Sequence, residues 1–192
     1  MKLLGNIMHN KLILEEQIDE IRQSFQFHNF MFSYDELSTM YESQELTIAP
    51  EYQRFFHWTA LQKARLIESI LLGFRLPALF VVEDEIGNWE LVDGMQRLTT
   101  VFEFMGVLKN PEGQPVPPFR LSFSEGQACI PLLDGLTFAE LLPNIQFTIQ
   151  FAVCDVEIIK IGNDKSQIKE IFERLNHGIP YNRERTSATE KL

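Results

Sequence analysis

The sequence predicts an α+β domain in which helices flank a small mixed sheet, and three observations predict it. Residues 78–82 form an unbroken apolar run, which is typical of a strand buried on both faces. Residues 88–92 alternate between polar and apolar and end at Asp93-Gly94, as a half-buried strand does before a turn. Amphipathic stretches with capping residues stand on either side of this strand pair. Two strands between capped helices indicate an α+β arrangement.

The N-terminal half has a local signal for each of its elements. Two capping boxes, each a Ser or Thr followed three residues later by Glu or Gln, mark the starts of helices. The patterns predict, in order, a helix over residues 10–28, a short helix after Ser33, a strand over 45–49 and a helix from Thr59 to Gly73. These elements lead the chain to the strand pair at residues 78–92.

The C-terminal half has less regular signals. A helix after residue 94 has its apolar face at Leu98, Val101, Phe102 and Met105 and ends at Gly106. The patterns then predict a proline-rich loop over 110–118, a strand over 119–123, a turn at Asp134-Gly135, a short segment over 136–142, a strand over 152–161 and a helix after Asp164. Residues 144–151 fit a helix and a strand equally well.

Composition and charge argue against several classes of protein. The net charge of −10 disfavours non-specific binding of nucleic acid over most of the surface, although it permits a small basic site. The two cysteines, Cys129 and Cys154, form no Cys-x-x-Cys pair, so a disulfide framework or a structural zinc site is not expected. Cys154 lies in an apolar run and is predicted to be a core residue. The sequence has no long apolar span and no signal peptide, so a cytoplasmic protein without membrane contact is expected.

The stretch from Asp93 to Thr100 carries the strongest chemical signal. It opens a predicted helix, and the unpaired N–H groups of a helix N-terminus attract anions. Arg97 lies in the first turn, where a cation is electrostatically misplaced unless an anion is close. A phosphate group is the simplest ligand for this set, with Gln96, Thr99 and Thr100 as further donors. The spacing leaves a second interpretation open, in which Asp93 is an N-cap and Arg97 forms a surface ion pair.

The same stretch resembles the Asp-Gly-Gln-Gln-Arg-Leu-Thr-Thr signature of the N-terminal domains of GmrS/GmrD-type restriction endonucleases, a prokaryotic family. Two further segments match the family in the same order. One is Tyr52-Gln53-Arg54 followed by Trp58, and the other is Phe172 to Asn176. Met95 replaces the first Gln of the signature, which removes a polar side chain from the site and weakens the case for full catalysis.

The resemblance implies a ParB/sulfiredoxin-like fold, with a small mixed sheet flanked by helices and an extra N-terminal helix. The implied division is an N-terminal helical extension over residues 1–44, the ParB/sulfiredoxin-like domain over 45–180, and the start of a C-terminal helical region over 181–192 that the sequence cuts short. Members of the family often continue into a separate His-Asn-His-type nuclease domain, and this chain has no His/Asn cluster for one.

The resemblance also implies a function, which is the binding and Mg²⁺-dependent hydrolysis, or sensing, of a nucleoside triphosphate in support of DNA restriction. The catalytic residues are then Asp93, Gln96 and Arg97, with Asp93 as the Mg²⁺ ligand. The phosphates are held by Arg54, Gly94, Arg97, Thr99 and Thr100. The supporting residues are Tyr52, Gln53, Trp58 and Asn176. The planar guanidinium of Arg54 suits a phosphate because it binds two oxygens at once.

Two other functions remain open on the sequence. One is a non-catalytic module that grips a DNA phosphate or docks a partner, and Met95 favours it. DNA is then reached through a nuclease partner or a missing C-terminal domain. Two roles are open for the N-terminal helix: packing on the domain, which is the favoured interpretation, and self-association. The other is a sulfiredoxin-like ATP-dependent reductase, which needs a reactive Cys beside the phosphate motif. Neither Cys129 nor Cys154 is near that motif in sequence.

Overall fold

The computed structural model describes residues 11, 13–19, 22, 26–48, 58–123 and 127–160. The named elements are β1 (Gln26–Ser33), α1 (Tyr34–Glu42), β2 (Leu46–Thr47), α2 (Ala60–Leu71), β3 (Leu79–Glu83), β4 (Trp89–Asp93), α3 (Met95–Met105), α4 (Pro143–Gln150) and β5 (Val153–Lys160). Two short 3-10 helices lie between α3 and α4, at Pro131–Leu133 and Phe138–Glu140. Residues 13–19 are also helical.

Within the described residues, five strands form one mixed sheet in the order β1-β5-β3-β4-β2. β1 runs antiparallel to β5, β5 parallel to β3, β3 antiparallel to β4, and β4 parallel to β2. These directions bring the last residues of β1, β2 and β4 and the first residues of β3 and β5 to the same end of the sheet. The predicted α+β class is confirmed, and the arrangement is compatible with a ParB/sulfiredoxin-like fold.

The core lies between one face of the sheet and helices α1, α2 and α3. Leu79, Val81, Leu91 and Val156 on the strands pack in one cluster with buried helix residues such as Phe102. Val82, Val92 and Ile159 alternate with these strand residues and are also buried. The prediction that the run at 78–82 is buried on both faces is therefore confirmed at the centre of the sheet.

Both capping boxes form as predicted. The Glu36 backbone N–H donates to Ser33 Oγ at 3.2 Å, and the Ser33 N–H donates back to Glu36 Oε2 at 2.7 Å. Thr59 and Gln62 make the same reciprocal pair at the start of α2. Each pair satisfies two backbone donors that a helix start otherwise leaves without partners, so these local signals set where α1 and α2 begin.

Two predicted elements are wrong. The helix over 10–28 does not extend to residue 28, because Gln26–Ser33 is strand β1 and pairs with β5 along its whole length. The stretch before residue 45 is therefore not wholly helical. Residues 119–123 are not a strand: Leu121 exchanges one pair of hydrogen bonds with residues 135 and 136 only. Pro117 and Pro118, which lack N–H donors, come directly before this segment and oppose a longer ladder.

The remaining predictions have clear outcomes. The strand predicted over 45–49 is present but shorter, as β2 at Leu46–Thr47. The ambiguous residues 144–151 form α4, and the strand over 152–161 is β5. Pro143 at the first position of α4 explains the helix, because its fixed φ angle is already helical. The helix predicted after Asp164 lies outside the described residues.

Candidate functional site

The site is the turn that joins β4 to α3. β4 ends at Asp93, Gly94 adopts a left-handed conformation with φ of 93°, and α3 begins at Met95. The N-cap position of α3 is Gly94, which has no side chain to cap the helix. The interpretation of Asp93 as the N-cap is therefore wrong. The partial positive charge of this helix end faces the turn without an N-cap carboxylate or hydroxyl to offset it.

Gly94 is required at this turn for two separate reasons. Its positive φ angle is one that residues with a Cβ adopt only at a cost. A Cβ placed on Gly94 would also lie 2.3 Å from Leu79 Cδ2 and 3.1 Å from Arg97 Nη2. The absence of a side chain therefore lets the β4–α3 turn approach both the start of β3 and the Arg97 guanidinium closely.

The Arg97 guanidinium lies across this turn rather than in solvent. It donates hydrogen bonds to the carbonyl oxygens of Pro77 and Ala78, the second at 3.0 Å, and lies 3.4 Å from Asp93 Oδ2. The Arg97 side chain is 13% exposed and that of Asp93 is 40% exposed. The ion pair that the second interpretation predicted does form, with Asp93. It is not a surface pair on the Arg97 side, which is mostly buried, while the Asp93 carboxylate faces both Arg97 and solvent.

Gln96 connects the turn to the loop that enters α2. The Trp58 backbone N–H donates to Gln96 Oε1 at 3.2 Å. The Trp58 side chain is half-buried and packs against the core. Trp58 therefore lies beside the turn, as a supporting residue would, and its backbone makes the contact. Tyr52, Gln53, Arg54 and Asn176 lie outside the described residues.

The two threonines of the signature are placed differently from the turn residues. Thr99 Oγ1 donates to the Met95 carbonyl at 2.7 Å, one turn back in α3. Thr100 is 1% exposed and lies among the buried residues of α3. The donor of Thr99 is thus used inside the helix, and the Thr100 side chain faces the core rather than the turn.

Replacing Thr100 with Val is expected to leave the affinity for any ligand of the turn unchanged within about twofold, because its side chain is buried and Val has nearly the same shape. Titration calorimetry of the variant beside the unmodified chain measures this. A tenfold loss of affinity in a folded variant would indicate that Thr100 contacts the ligand directly.

Two residues that the sequence did not connect with the site lie at the same end of the sheet as the turn. Tyr34 is 2% exposed and Cys154 is 7% exposed, and the positive charge of Arg97 acts on both. Burial raises the pKa of Cys154 to about 12, and it also raises the pKa of Tyr34, although Arg97 opposes both shifts. Cys154 is therefore a core thiol, as predicted, and not a thiolate nucleophile. The sequence marked the position of Tyr34 only through the capping box at Ser33, because that box makes Tyr34 the first residue of α1.

The described residues contain no group of three or more His, Cys, Asp or Glu side chains that would hold a metal ion by themselves. Asp93 is the carboxylate that belongs to the turn. Across the same ranges, no helix is both long and apolar enough to cross a membrane.

Comparison with known families finds one match that covers most of the chain. The family described as GmrSD restriction endonuclease, N-terminal domain, matches residues 36–182. No curated protein and no solved structure matches the chain. The match begins within α1, runs through β5, and includes the Asp93–Arg97 turn and Tyr52–Arg54. Because it spans well over half of the sequence, the chain belongs to the GmrSD restriction endonuclease N-terminal domain family and is a domain of the restriction-endonuclease type.

Proposed function

We propose that the chain binds a nucleoside triphosphate at the β4–α3 turn and hydrolyses or senses it to control DNA restriction. The observation that carries the proposal is the start of α3, where no side chain of the N-cap residue covers the helix end and a guanidinium lies beside it. Both features place positive potential where a phosphate would sit. In a chain with a net charge of −10, such a local site selects a small anion more readily than it selects a nucleic acid.

The turn residues divide the task according to their positions. Arg97 holds the turn against the start of β3 and directs its charge at the bound phosphates, and Arg54 adds a second guanidinium. Gln96 orients oxygens beside Trp58. Asp93, with a side chain 40% exposed, is free to face a ligand and orients the attacking water. Together these groups orient a phosphate chain rather than attack it covalently.

Mg²⁺ fits this donor set as a partner of the nucleotide. It is commonly held by one or two carboxylates together with substrate phosphates, and Asp93 supplies one carboxylate. When bound, the ion neutralises phosphate charge. Since the described residues form no cage of three ligands, we infer that Mg²⁺ enters with the nucleotide rather than before it.

Calorimetric titration of the chain with each of the four ribonucleoside triphosphates, with and without Mg²⁺, tests the proposal. We expect saturable heat with at least one of them and tighter binding when Mg²⁺ is present. Absence of binding with all four, for a chain that is shown to be folded by circular dichroism, would contradict the nucleotide site.

One observation favours a second candidate function, a module that binds without catalysis. The Arg97 guanidinium already contacts two carbonyl oxygens and a carboxylate, and Met95 stands where the family has Gln. A site of this kind would grip a DNA phosphate or dock a partner chain, with a nuclease partner or a further domain supplying the cleavage. The salt dependence of binding separates the two functions, because a DNA-backbone ligand weakens steeply as salt rises.

Replacing Met95 with Gln tests whether the departure from the family signature limits hydrolysis. Met95 is half-buried and packs at the edge of the core, so the Gln variant is expected to fold with at most a small loss of stability. We expect its rate of phosphate release from the preferred nucleotide to exceed that of the unmodified chain by about tenfold, because a polar group in the site is restored. Equal rates in both proteins would mean that residue 95 does not limit catalysis.

A further inference from the structure

Strand β1 forms one edge of the sheet, and its outer side is open. It pairs with β5 over all eight of its residues, and none of the described strands pairs with its other side. Residues 27–31 are all exposed, so side chains on both faces of this strand reach solvent. Three of them are large and apolar, with Phe27 63% exposed, Phe30 53% and Met31 68%. An apolar edge of this length is a surface on which another strand can pair.

The strand has none of the features that usually protect such an edge. Natural edge strands carry charged side chains, especially Lys, or Pro, or a bulge that interrupts the register. Residues 26–33 contain no Lys, Arg, Asp, Glu or Pro. The register with β5 runs from Gln26 to Ser33 without a shift. The open side of β1 is therefore suited to strand pairing, and it has no formal charge in a chain whose net charge is −10.

Hydrogen bonds at the end of β1 show which main-chain groups face the open side. The Tyr34 N–H donates to the Ala152 carbonyl at 3.2 Å, whereas the Ser33 N–H donates to the capping carboxylate of α1 at 2.7 Å. Residues of an antiparallel pair alternate between bonding the partner strand and facing away from it. Asn29 and Met31 are in phase with Ser33, so their N–H and C=O groups point away from β5. In the described part of the chain, neither residue makes a backbone hydrogen bond outside the strand ladder.

We propose that β1 pairs antiparallel with β1 of a second copy of this chain, so that the two sheets join into one. The exposed run 27–31 has its midpoint at Asn29, and pairing about Asn29 covers the whole run. Asn29 and its copy then exchange two main-chain hydrogen bonds on a twofold axis. This interface is separate from the β4–α3 turn and does not depend on the proposed nucleotide site.

Charge and side-chain chemistry favour a second copy as the occupant. In this register Met31 lies opposite Phe27 of the other copy, and Phe30 lies opposite His28. Apolar and aromatic cross-strand pairs of this kind stabilise a sheet. A neutral strand offers no ion pair to a charged partner, and it does not repel its own copy although the chain as a whole is acidic.

The size of the surface indicates a reversible dimer. Covering the three exposed apolar side chains would bury on the order of 300 Å² per copy, since an aromatic side chain carries about 150–250 Å². Stable complexes bury about 800 Å² per partner, so we expect a dissociation constant on the order of 10 μM. The opposite edge of the described sheet is β2, which has two residues, so assembly is expected to stop at two copies.

Sedimentation velocity of the full chain tests the proposal at concentrations from about 1 μM to about 300 μM, a range that brackets the expected dissociation constant. We expect the monomer to convert reversibly to a dimer as the concentration rises. A monomer at every concentration, or assembly beyond the dimer, would overturn the proposal.

Met31→Lys places a charge on the open side of β1. Met31 pairs with Asp155 on β5, which gives the new ammonium group a partner, so the variant is expected to fold. We expect the dissociation constant of the dimer to rise by about tenfold or more, because the change occurs twice in a symmetric dimer. The added charge makes the chain less acidic, so general repulsion between copies does not explain such a loss.

Leu14→Lys is the matched control for Met31→Lys. It makes the same change of charge at an apolar residue that is 55% exposed, in the helical residues 13–19, and it should leave the dimer unchanged. An unchanged dimer in Met31→Lys would overturn the proposal. Equal weakening of the dimer by both variants would also overturn it, because the loss would then not be specific to β1.

Asn29→Pro tests whether the copies meet by main-chain pairing. Proline removes an N–H that points to the open side and not to β5, a position that edge strands tolerate. We expect this variant to be monomeric, and a dimer of full strength would overturn strand pairing. If Asn29→Pro does not fold, Asn29→Cys decides, in a Cys129→Ser background because Cys129 is exposed. The two Cα atoms of the central pair would lie about 5.5 Å apart, within reach of a disulfide, so oxidation should give a covalent dimer. Absence of that cross-link would overturn the register.

Discussion

Replacing Arg97 with Ala is expected to weaken nucleotide binding on the order of 100-fold or more, which titration calorimetry would record as loss of measurable heat. Two charge-assisted hydrogen bonds to phosphate oxygens together account for a loss of this size. The same change removes the hydrogen bonds to the Pro77 and Ala78 carbonyls, so the free energy of unfolding is expected to fall by about 2 kcal/mol. The variant should therefore remain folded while losing its ligand.

Arg120→Ala is the control for this variant. Arg120 also donates to a backbone carbonyl, that of Gly135, and also pairs with a carboxylate, that of Glu140, but its side chain is 59% exposed. The Arg120→Ala substitution thus removes the same kinds of contact at a position away from the turn. Nucleotide binding should therefore be unchanged. Full binding by a folded Arg97→Ala variant would contradict the proposed phosphate site at its centre.

Replacing Gly94 with Ala is expected to lower the free energy of unfolding by about 2–4 kcal/mol. Part of this loss comes from the positive φ angle of residue 94, and the larger part comes from the contact of the new Cβ with Leu79 at 2.3 Å. Urea denaturation followed by circular dichroism measures the change. Nucleotide binding should also weaken, because the turn and Arg97 must move to make room for the methyl group.

Gly87→Ala separates the two contributions to this loss. Gly87 has φ of 89°, close to the 93° of Gly94, but nothing lies within 4 Å of a Cβ placed there. Its replacement is therefore expected to cost about 1 kcal/mol, from backbone strain alone. Equal losses of stability in the two variants would mean that the close approach of Leu79 to the turn does not require a glycine.

Local signals in the sequence were sufficient for the elements that local contacts define. The capping boxes at Ser33 and Thr59 satisfy their own backbone donors within four residues, so they form wherever the chain lies. The Asp93-Gly94 turn could also be predicted, because it depends on the backbone freedom of glycine. The apolar face of α3 could be predicted from its 3.6-residue period. The resemblance to the GmrSD family rested on the stretch after this turn together with the segments at Tyr52–Arg54 and Phe172–Asn176, and the family match confirms membership.

Long-range pairing explains what the sequence predicted wrongly. The first helix was predicted to run to residue 28, but Gln26–Ser33 gains an eight-residue antiparallel ladder with β5, whose residues lie 120 or more positions away in the sequence. An aromatic stretch such as Phe27, Phe30 and Phe32 suits either state, and the partner strand selects between them. Residues 119–123 alternate as a strand does, but they have only one exchanged pair of hydrogen bonds and no named strand beside them.

The sequence by itself therefore determined the fold class, from the order of its periodic patterns, and the starts of α1 and α2 and the turn that carries the site, because these follow from contacts within a few residues. Only the tertiary structure decided what surrounds that turn. It turned the Arg97 guanidinium onto the carbonyls that precede β3, moved Thr100 into the core, and brought Tyr34 and Cys154 to the end of the sheet where the turn lies. Residues 34, 97 and 154 lie at one end of the sheet because β1 ends where β3 and β5 begin, and no local pattern encodes which strands pair.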